Sequence, residues 1–304
     1  MSHPLVTIVI PTYNRAQLVR RSIESALAQT WPAVDVLVVD DGSTDGTWAM
    51  LETYGENPRV RRVRHETNRG VAAAKNTGLD AVRGRFATIL DSDDTLVPGA
   101  VARLLQEFER LGERYGMVFA NCADATTCVW TGRGLNQSGD VTFRDAVTGR
   151  FQGEFWGIWR TEVLGTRRFD TRLNGGEGLV WHDLYRVTCV HYVHEALRRY
   201  ERHASDRVST RQLDTVEFAR TRLLYELYLE RFGADLRNLD PRAFARQLQA
   251  VAAWHIVAGE RRAGVARLVE SVRAGASPAQ VVQAAALAVV PRRWLWRALE
   301  RRRG

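Results

Sequence analysis

The sequence predicts an α/β protein in which helices flank a mainly parallel sheet and a helical C-terminal appendage follows. Short apolar runs alternate with amphipathic segments over residues 1–120, which is typical of a parallel sheet covered by helices on both faces. The sequence becomes irregular over residues 121–210, and helical periodicity returns over residues 211–304. We expect three regions with these boundaries, and we expect ligands to bind beyond the carboxyl ends of the parallel strands.

The first 120 residues supply predicted strands and helices in turn. Leu5–Ile10 is a β-branched apolar run that suits a buried strand, and Asn14 can cap the helix after it, with Gln17 three residues further on. The remaining strands of this region are predicted at Val34–Val39, Val60–His65, Phe86–Leu90 and Gly116–Ala120. The remaining helices are predicted at Thr47–Tyr54, at Gly70–Val82 and after Pro98.

The rest of the chain is irregular first and helical afterwards. Residues 121–210 are rich in Gly, Trp and Arg, which suits loops and short strands. Amphipathic helices are predicted at Val216–Phe232, Ala243–Val257 and Ala263–Ala274, and Pro278 and Pro291 bracket one more.

Composition narrows the class of protein. The chain has 304 residues, of which 45% are hydrophobic and 26% are charged, so we expect a substantial core rather than a disordered chain. A net charge of +8 is compatible with nucleic acid, a membrane surface or an acidic substrate, and also with a simple preference for arginine. Because the basic residues form no recognisable nucleic-acid-binding module, we expect no nucleic-acid partner.

Cysteine usage and apolar stretches bear on the location of the protein. Three cysteines without a C-x-x-C spacing argue against a disulfide framework or a zinc site. No signal peptide is visible, and the apolar stretch near Val281–Val290 is too short to span a bilayer. We expect a cytoplasmic protein, either free or peripherally bound at the inner face of the membrane.

Polar clusters follow the first two predicted strands. Pro11–Arg15 contains an aromatic ring that can stack on a base or a ribose, although loops from strand to helix often contain the same residue types. In the second cluster, Asp40 and Asp41 can accept hydrogen bonds from a base or from ribose hydroxyls, and an Asx turn is the structural alternative. We expect Asp45 to cap the next helix, while Asp40 and Asp41 face the site.

A third acidic cluster, Asp91–Asp94, follows the strand predicted at Phe86–Leu90. Asp91 and Asp93 are two residues apart and point the same way in an extended segment. Mg²⁺ and Mn²⁺ prefer oxygen ligands shared between carboxylates and phosphates, so this D-x-D is a candidate metal–diphosphate site; a capped loop is the alternative. Arg69 and Lys75 can neutralise a diphosphate or be surface charges.

Taken together, the three clusters resemble family 2 glycosyltransferases with the GT-A fold. The resemblance covers roughly the first 120 residues and is specific as a set. It is carried by Val6–Arg15, by Val38–Thr47, by Asn68–Gly70 with Ala73, Lys75, Asn76 and Gly78, and by Leu90–Asp94.

The resemblance implies a Rossmann-like GT-A sheet and an inverting transferase that uses a nucleotide diphosphate sugar, a UDP-sugar being favoured, with Mn²⁺ or Mg²⁺. It implies that residues 1–120 bind the nucleotide sugar and that residues 121–210 bind the acceptor. Asp93 would bind the metal, and Asp91 would contact the metal or the ribose. The other residues that would line the nucleotide are Pro11, Thr12, Tyr13, Arg15, Asp40, Asp41, Arg69, Lys75 and Ser92.

The catalytic base is less well marked than the donor site. Family members have an acidic pair after a Gly-rich loop, and here Glu177 matches the first acid while Gly178 replaces the second. Glu177 is therefore the first candidate for the base that deprotonates the acceptor hydroxyl. The second is Asp183, which lies on a helix predicted at Leu179–Val190 and could also be simply exposed there. His203 resembles part of the family's R-x-H segment and could approach the metal, or it could be structural.

Tryptophan and arginine recur on the acceptor side and at the C-terminus. Trp156, Trp159 and Arg160 could line an acceptor surface, although tryptophans in such loops are also ordinary packing residues. Residues 291–304 combine arginines with tryptophans, which suits an interfacial helix on an anionic membrane and a lipid-linked acceptor, or a helix packed on the domain.

Other readings of the sequence remain at this point. A nucleotidyltransferase also combines an α/β sheet with acidic metal ligands, but Pro11–Arg15 lacks the glycines of its phosphate loop. A non-catalytic nucleotide-sugar-binding protein would explain Gly178, whereas the intact Asp91 and Asp93 argue against it. The acceptor could be a glycan, a lipid-linked sugar, a natural product or a peptide.

Overall fold

The computed structural model describes residues 3–173, 175–201 and 215–276, together with residue 282. The chain divides into two compact units. The first comprises Met1–Thr171 and Gly175–Ser205, and the second comprises Arg172–Asn174 and Asp206–Gly304.

The described part of the first unit contains a mixed sheet of nine strands. The strands are β1 (Val6–Thr12), β2 (Val34–Asp40), β3 (Val60–Arg64), β4 (Phe86–Ile89), β5 (Thr95–Leu96), β6 (Tyr115–Asp124), β7 (Gly139–Val141), β8 (Phe155–Arg160) and β9 (Cys189–Tyr200). Their order is β3-β2-β1-β4-β8-β6-β9-β5, and β7 pairs with β9.

Strand direction brings several carboxyl ends to one edge of this sheet. β1 lies parallel to β2 and β4, and β2 lies parallel to β3. β8 is antiparallel to both β4 and β6, so β6 runs in the direction of β4, and β9 is parallel to β6. The carboxyl ends of β1, β2, β4, β6 and β9 therefore lie at the same edge, where ligands of such sheets bind.

Helices cover both faces of the sheet. The helices of this unit are α1 (Ala16–Leu27), α2 (Thr47–Glu52), α3 (Val71–Asp80), α4 (Ala100–Leu111), α5 (Phe143–Val147), α6 (Thr161–Leu164) and α7 (Gly178–Val187). Ile8 of β1 packs in the core that contains buried residues of α1 and α4, whereas its neighbour Val9 packs in the core that contains residues of α3 and α7. Because consecutive strand residues serve opposite cores, the run is apolar without alternation, as a doubly covered strand requires.

The loops after β1 and β2 are joined in a way that differs from the local prediction. α1 begins at Ala16, and Asn14 has a φ of 51°. The side-chain oxygen of Asn14 accepts hydrogen bonds from the backbone N–H groups of Thr44 at 2.8 Å and Asp45 at 3.3 Å. The prediction that Asn14 caps α1 is therefore wrong, because its side chain serves the neighbouring loop. Asp45 accepts from the Thr47 N–H at 2.8 Å, at the start of α2, as predicted.

The region after residue 120 contains more strand than the sequence predicted. β9 has 12 residues, and its pairing with β6 shifts register around Asn121. Its sequence mixes His, Arg and Glu with apolar residues, so a simple alternation is not visible. The helix predicted at Leu179–Val190 ends at Val187, and β9 begins at Cys189.

The second unit is helical where it is described, with α8 (Thr215–Leu239), α9 (Pro241–Ala258) and α10 (Arg261–Arg273). Asp240 caps α9 by accepting from the Ala243 N–H at 2.9 Å, with Pro241 in the first turn. The helix predicted between Pro278 and Pro291 and the basic tail lie outside the described residues. Among the described helices, none has the length and apolar character needed to cross a membrane.

Candidate active site

The three polar clusters meet at the carboxyl edge of the sheet. Asp40 ends β2, and Thr12, at the end of β1, pairs with it in register. The Asp91–Asp94 turn follows β4, which pairs with β1 on its other side. Since β1 lies between β2 and β4, the residues after these strands are neighbours in space.

Asp41 organises the loop that opens α3. It is buried; its Oδ1 lies 2.6 Å from His65 Nδ1 and accepts the Arg69 N–H at 2.9 Å, and its Oδ2 accepts the Gly70 N–H at 2.7 Å. His65 Nε2 in turn lies 2.9 Å from the Thr77 hydroxyl. Both carboxylate oxygens of Asp41 therefore contact protein groups. His65 was not among the predicted site residues, because the only sequence feature that marks it is its place one residue after β3.

The other residues predicted on the nucleotide side differ in exposure. Asp40 is buried and lies 3.3 Å from Arg64 Nε. Pro11, Thr12 and Ser92 are also buried, whereas Arg69 is exposed and Tyr13 keeps 36% of its surface. The Tyr13 ring is thus open to a stacking partner at this edge.

The D-x-D carboxylates are held by cations from different elements. Asp91 Oδ1 lies 3.1 Å from Lys75 Nζ, and its side chain keeps 37% of its surface. Burial would raise the pKa of Asp91, but the charges of Lys75 and Arg198 hold that pKa below its ordinary value. Asp93 Oδ2 lies 3.1 Å from Nη1 of Arg15, the residue that directly precedes α1. Asp94 is buried, and burial raises its pKa to about 7 against the opposing charge of Arg198.

Lys75 connects the D-x-D turn with the first candidate for the base. It is the only lysine of the chain and is 7% exposed on α3. Its Nζ lies 3.1 Å from Asp91 Oδ1 and 3.0 Å from Glu177 Oε1. Burial would lower the pKa of Lys75, but the two carboxylates outweigh it and raise that pKa above the ordinary value.

The two candidate bases, one just before α7 and one on it, have different surroundings. Glu177 directly precedes α7 and follows two glycines with positive φ, and its side chain keeps 31% of its surface. The Asp183 side chain keeps 9% and lies 3.9 Å from Arg186 Nη1, so the expectation that Asp183 could be an exposed helix residue is wrong. Glu177 is therefore the more accessible carboxylate.

Two predicted features are buried or lie outside the described residues. Trp156 and Trp159 are buried, the Trp159 ring lies 5.0 Å from the Trp181 ring, and Arg160 Nε donates to the Tyr115 carbonyl at 2.9 Å. The expectation that Trp156, Trp159 and Arg160 line an acceptor surface is wrong, and the packing alternative for the two tryptophans is confirmed. His203 lies outside the described residues.

Divalent metal chemistry fits the charges at this edge. Within the described residues, no group of three or more His, Cys, Asp and Glu side chains could hold a metal ion. A Mg²⁺ or Mn²⁺ ion shared with a diphosphate needs only one or two carboxylates. Among the described residues, an ion-pair network at this edge joins the carboxylates of Asp91, Asp93, Asp94, Glu154 and Glu177 to the cations Arg15, Lys75 and Arg198.

The sequence is similar to known glycosyltransferases. The family model for glycosyl transferase family 2 matches residues 7–160, which is half of the chain. The chain is 30% identical over 212 residues to the GalNAc(5)-diNAcBac-PP-undecaprenol beta-1,3-glucosyltransferase of Campylobacter jejuni, covering 68% of this chain and 67% of that protein. It is 44% identical over 109 residues to the succinoglycan biosynthesis protein ExoO of Rhizobium meliloti, covering 36% of this chain and 31% of that protein.

The fold is also similar to solved structures. TarS 1–349 of S. aureus in complex with UDP-GlcNAc superposes with a TM-score of 0.62 and 19% identity, covering 90% of this chain and 93% of that one. The mannosyltransferase PcManGT of Pyrobaculum calidifontis in complex with GDP-Man and Mn²⁺ gives a TM-score of 0.52 and 21% identity, covering 99% and 84%. These similarities show the GT-A fold that the sequence predicted.

The matching model covers half of the chain, and the Campylobacter relative adds 30% identity across two thirds of it. The expectation of a glycosyltransferase is thereby confirmed, and the chain belongs to glycosyl transferase family 2.

Proposed function

We propose that the chain is an inverting, metal-dependent glycosyltransferase that moves a sugar from a nucleotide diphosphate sugar to an acceptor hydroxyl. The observation that carries this proposal is the bridge from Asp91 through Lys75 to Glu177, in which Lys75 Nζ lies 3.1 Å from Asp91 Oδ1 and 3.0 Å from Glu177 Oε1. The bridge supports the proposal because the carboxylate that we assign to the donor side and the carboxylate that we assign as the base share one ion-pair partner, which suits a one-step displacement.

The nucleoside binds at the ends of β1 and β2. Exposed Tyr13 stacks on the base or the ribose. The Asp41 carboxylate holds the backbone of Arg69 and Gly70 in place by accepting their N–H groups. Pro11, Thr12 and Asp40 complete this side of the site. A UDP-sugar is the favoured donor, and the structures similar to this one contain a uridine and a guanosine donor.

The diphosphate binds at the D-x-D turn, where Asp91 and Asp93 would hold a Mn²⁺ or Mg²⁺ ion. When bound, such an ion stabilises the negative charge that grows on the leaving diphosphate. Arg15 is paired with Asp93 and donates to the buried Ser92 hydroxyl at 3.4 Å, so its positive charge is fixed beside the turn. Exposed Arg69 adds a second guanidinium for phosphate oxygens.

Glu177 acts as the base. The acceptor oxygen forms a bond to the anomeric carbon, the bond from that carbon to the diphosphate oxygen breaks, and the acceptor proton moves to Glu177. Attack opposite the leaving group inverts the anomeric centre. Lys75 holds one oxygen of the Glu177 carboxylate at 3.0 Å, which fixes its orientation, and Asp183 is less accessible for this role.

The acceptor binds to residues 121–210, and the donor binds to residues 1–120. The name of the Campylobacter relative contains an undecaprenol-linked glycan, so a lipid-linked glycan is the first acceptor class to test. Polysaccharides, natural products and peptides follow. Peripheral contact of residues 291–304 with an anionic membrane would suit a lipid-linked acceptor.

Family membership favours this function over the two alternatives. A nucleotidyltransferase would use the same kind of metal ligands, but the family match is to sugar transferases. A non-catalytic sugar-nucleotide-binding protein would have no use for an accessible carboxylate bridged to the D-x-D turn.

The first experiment is a calorimetric titration of the purified chain with UDP, GDP and dTDP, each with and without Mn²⁺. We expect one of the three nucleotides to bind more tightly in the presence of Mn²⁺, and we expect that nucleotide to be UDP. Sugar transfer from the matching donor to a lipid-linked glycan is then followed by mass spectrometry. Absence of any metal-dependent nucleotide binding, with or without acceptor, would contradict the proposed function.

A further inference from the structure

The end of β9 contributes a buried arginine that neither the sequence motifs nor the proposed reaction uses. Arg198 is 5% exposed. Its Nη1 lies 3.3 Å from Asp94 Oδ2 and 3.8 Å from Asp91 Oδ2, and its Nη2 lies 3.3 Å from Glu154 Oε2. A buried guanidinium is tolerated only when opposite charges compensate it, and these three carboxylates do so.

The Nε atom and the face of the Arg198 guanidinium also have partners. Arg198 Nε donates to Cys122 Sγ at 3.1 Å, and the Tyr200 ring lies 5.4 Å from the guanidinium carbon. Burial raises the pKa of the Cys122 thiol to about 11, so the sulfur is a neutral acceptor. A lysine at this position would keep the charge but not the planar set of donors that reaches all these partners.

Asp94 transmits this contact to the D-x-D turn. Its Oδ2 faces Arg198, and its Oδ1 accepts the Glu201 N–H at 2.9 Å. Its backbone N–H donates to the Asp91 carbonyl at 3.1 Å, which closes the turn, and the Ser22 hydroxyl of α1 donates to its carbonyl at 2.7 Å. The turn is thus fixed from β9 on one side and from α1 on the other.

We propose that Arg198 is a positioning residue for glycosyl transfer, which holds the Asp91–Asp94 turn against β9 so that the carboxylates of Asp91 and Asp93 meet the donor diphosphate and its cation. The proposal rests on the proposed function for the identity of that ligand. Its geometric part, the fixing of the turn, concerns the ligand-free protein and is tested separately.

The first test compares Arg198→Lys with the wild-type chain by UDP titration with and without Mn²⁺. The gain in affinity that Mn²⁺ provides should fall by about 10- to 100-fold, as is typical when the support of a metal ligand is removed, while metal-free UDP affinity stays within about twofold. Cys122→Ser is the matched control, because it changes one contact of the same guanidinium and keeps an acceptor. The proposal would be overturned if Mn²⁺ raised the UDP affinity of Arg198→Lys as much as that of the wild type. It would also be overturned if the variant lost UDP affinity equally with and without Mn²⁺.

The second test needs no ligand. Amide hydrogen exchange within the Asp91–Asp94 turn should be about tenfold faster in Arg198→Lys than in the wild type, because closing contacts of the turn are weakened. Asp94→Asn, which keeps the size of the side chain, should act in the same direction and serves if Arg198→Lys fails to fold. Unchanged exchange in the folded variants overturns the proposal. If the wild-type chain shows no metal-dependent nucleotide binding, the proposed function fails, and the exchange result still decides the role of Arg198.

Discussion

Asp91 and Asp93 lie on one turn, yet their side chains have different cationic neighbours. Lys75 of α3 contacts Asp91, and Arg15 contacts Asp93. Two carboxylates this close in sequence repel each other, and these neighbouring cations offset that repulsion. A change at Asp93 removes none of the three residues of the bridge from Asp91 through Lys75 to Glu177.

Asp93→Asn should remove the metal-dependent part of nucleotide binding. The substitution keeps the shape of the side chain and removes the charge that would bind the cation, while the nucleoside contacts at the ends of β1 and β2 stay. Calorimetry with and without Mn²⁺ measures the difference. Asp80→Asn, at the exposed end of α3, is the matched control and should behave as wild type. Equal Mn²⁺ dependence in Asp93→Asn and the control would disprove the metal assignment.

Glu177→Gln should lower kcat by roughly 10²- to 10⁴-fold, which is the usual contribution of a general base, with donor affinity within a few fold of wild type. The amide keeps the size of the carboxylate but cannot take the proton. Asp183→Asn is the companion variant and should keep most of the activity. If Asp183→Asn loses activity and Glu177→Gln does not, the base is Asp183.

At the scale of single elements, α7 contains a group that makes stability depend on pH. Burial lowers the pKa of His182 to about 4, from an ordinary value of 6.5. Below about pH 6.5 the unfolded chain takes up a proton at this imidazole that the folded chain does not bind until about pH 4. Stability should therefore be lost as the pH falls through this range, by on the order of 3 kcal/mol for this group.

His182→Gln tests this dependence. Urea unfolding at about pH 7 and about pH 4.5 should show a smaller drop in the free energy of unfolding for the variant than for wild type. His3→Gln replaces an exposed histidine and should leave the drop unchanged. Equal drops in all three proteins would mean that α7 does not contain the pH-sensitive group.

The sequence predicted some elements better than others for physical reasons. Except for the two-residue strand β5, which was not predicted, the strands and helices before residue 111 were located within a few residues, because each of them has one clear hydrophobic period. The role of Asn14 was missed because its side chain bonds to a loop 30 and 31 residues away, which no local pattern reveals. β9 was missed because buried charged groups such as Arg198 interrupt its apolar residues.

The candidate site shows the same limit. Lys75 and Asp91 were selected from motifs, but the contact of Lys75 with Glu177 joins residues 102 apart in sequence. The contact of Glu201 with Asp94 spans 107 residues. Parallel strands bring their carboxyl ends together whatever their separation along the chain. The side-chain contacts at that edge could therefore be predicted only with knowledge of the order of the strands in the sheet.

At the scale of the whole molecule, the basic C-terminal tail gives a prediction that rests on sequence alone. Removal of residues 291–304 should weaken binding to anionic vesicles strongly, since each arginine near such a surface contributes about 1 kcal/mol. Vesicle co-sedimentation measures this, with neutral vesicles as the control. Nucleotide affinity of the truncated chain should stay as in wild type. Unchanged partitioning after truncation would exclude membrane contact through the tail.

Lys75 has a practical consequence, because it is the only lysine of the chain. A lysine-specific endoprotease can cut the polypeptide only after this residue, which lies buried within α3 between two carboxylates. Cleavage therefore requires that the ion pairs of Lys75 with Asp91 and Glu177 first break and that α3 unwind. The appearance of one pair of fragments would time that opening, and any substrate or ion that steadies the site would slow the cut.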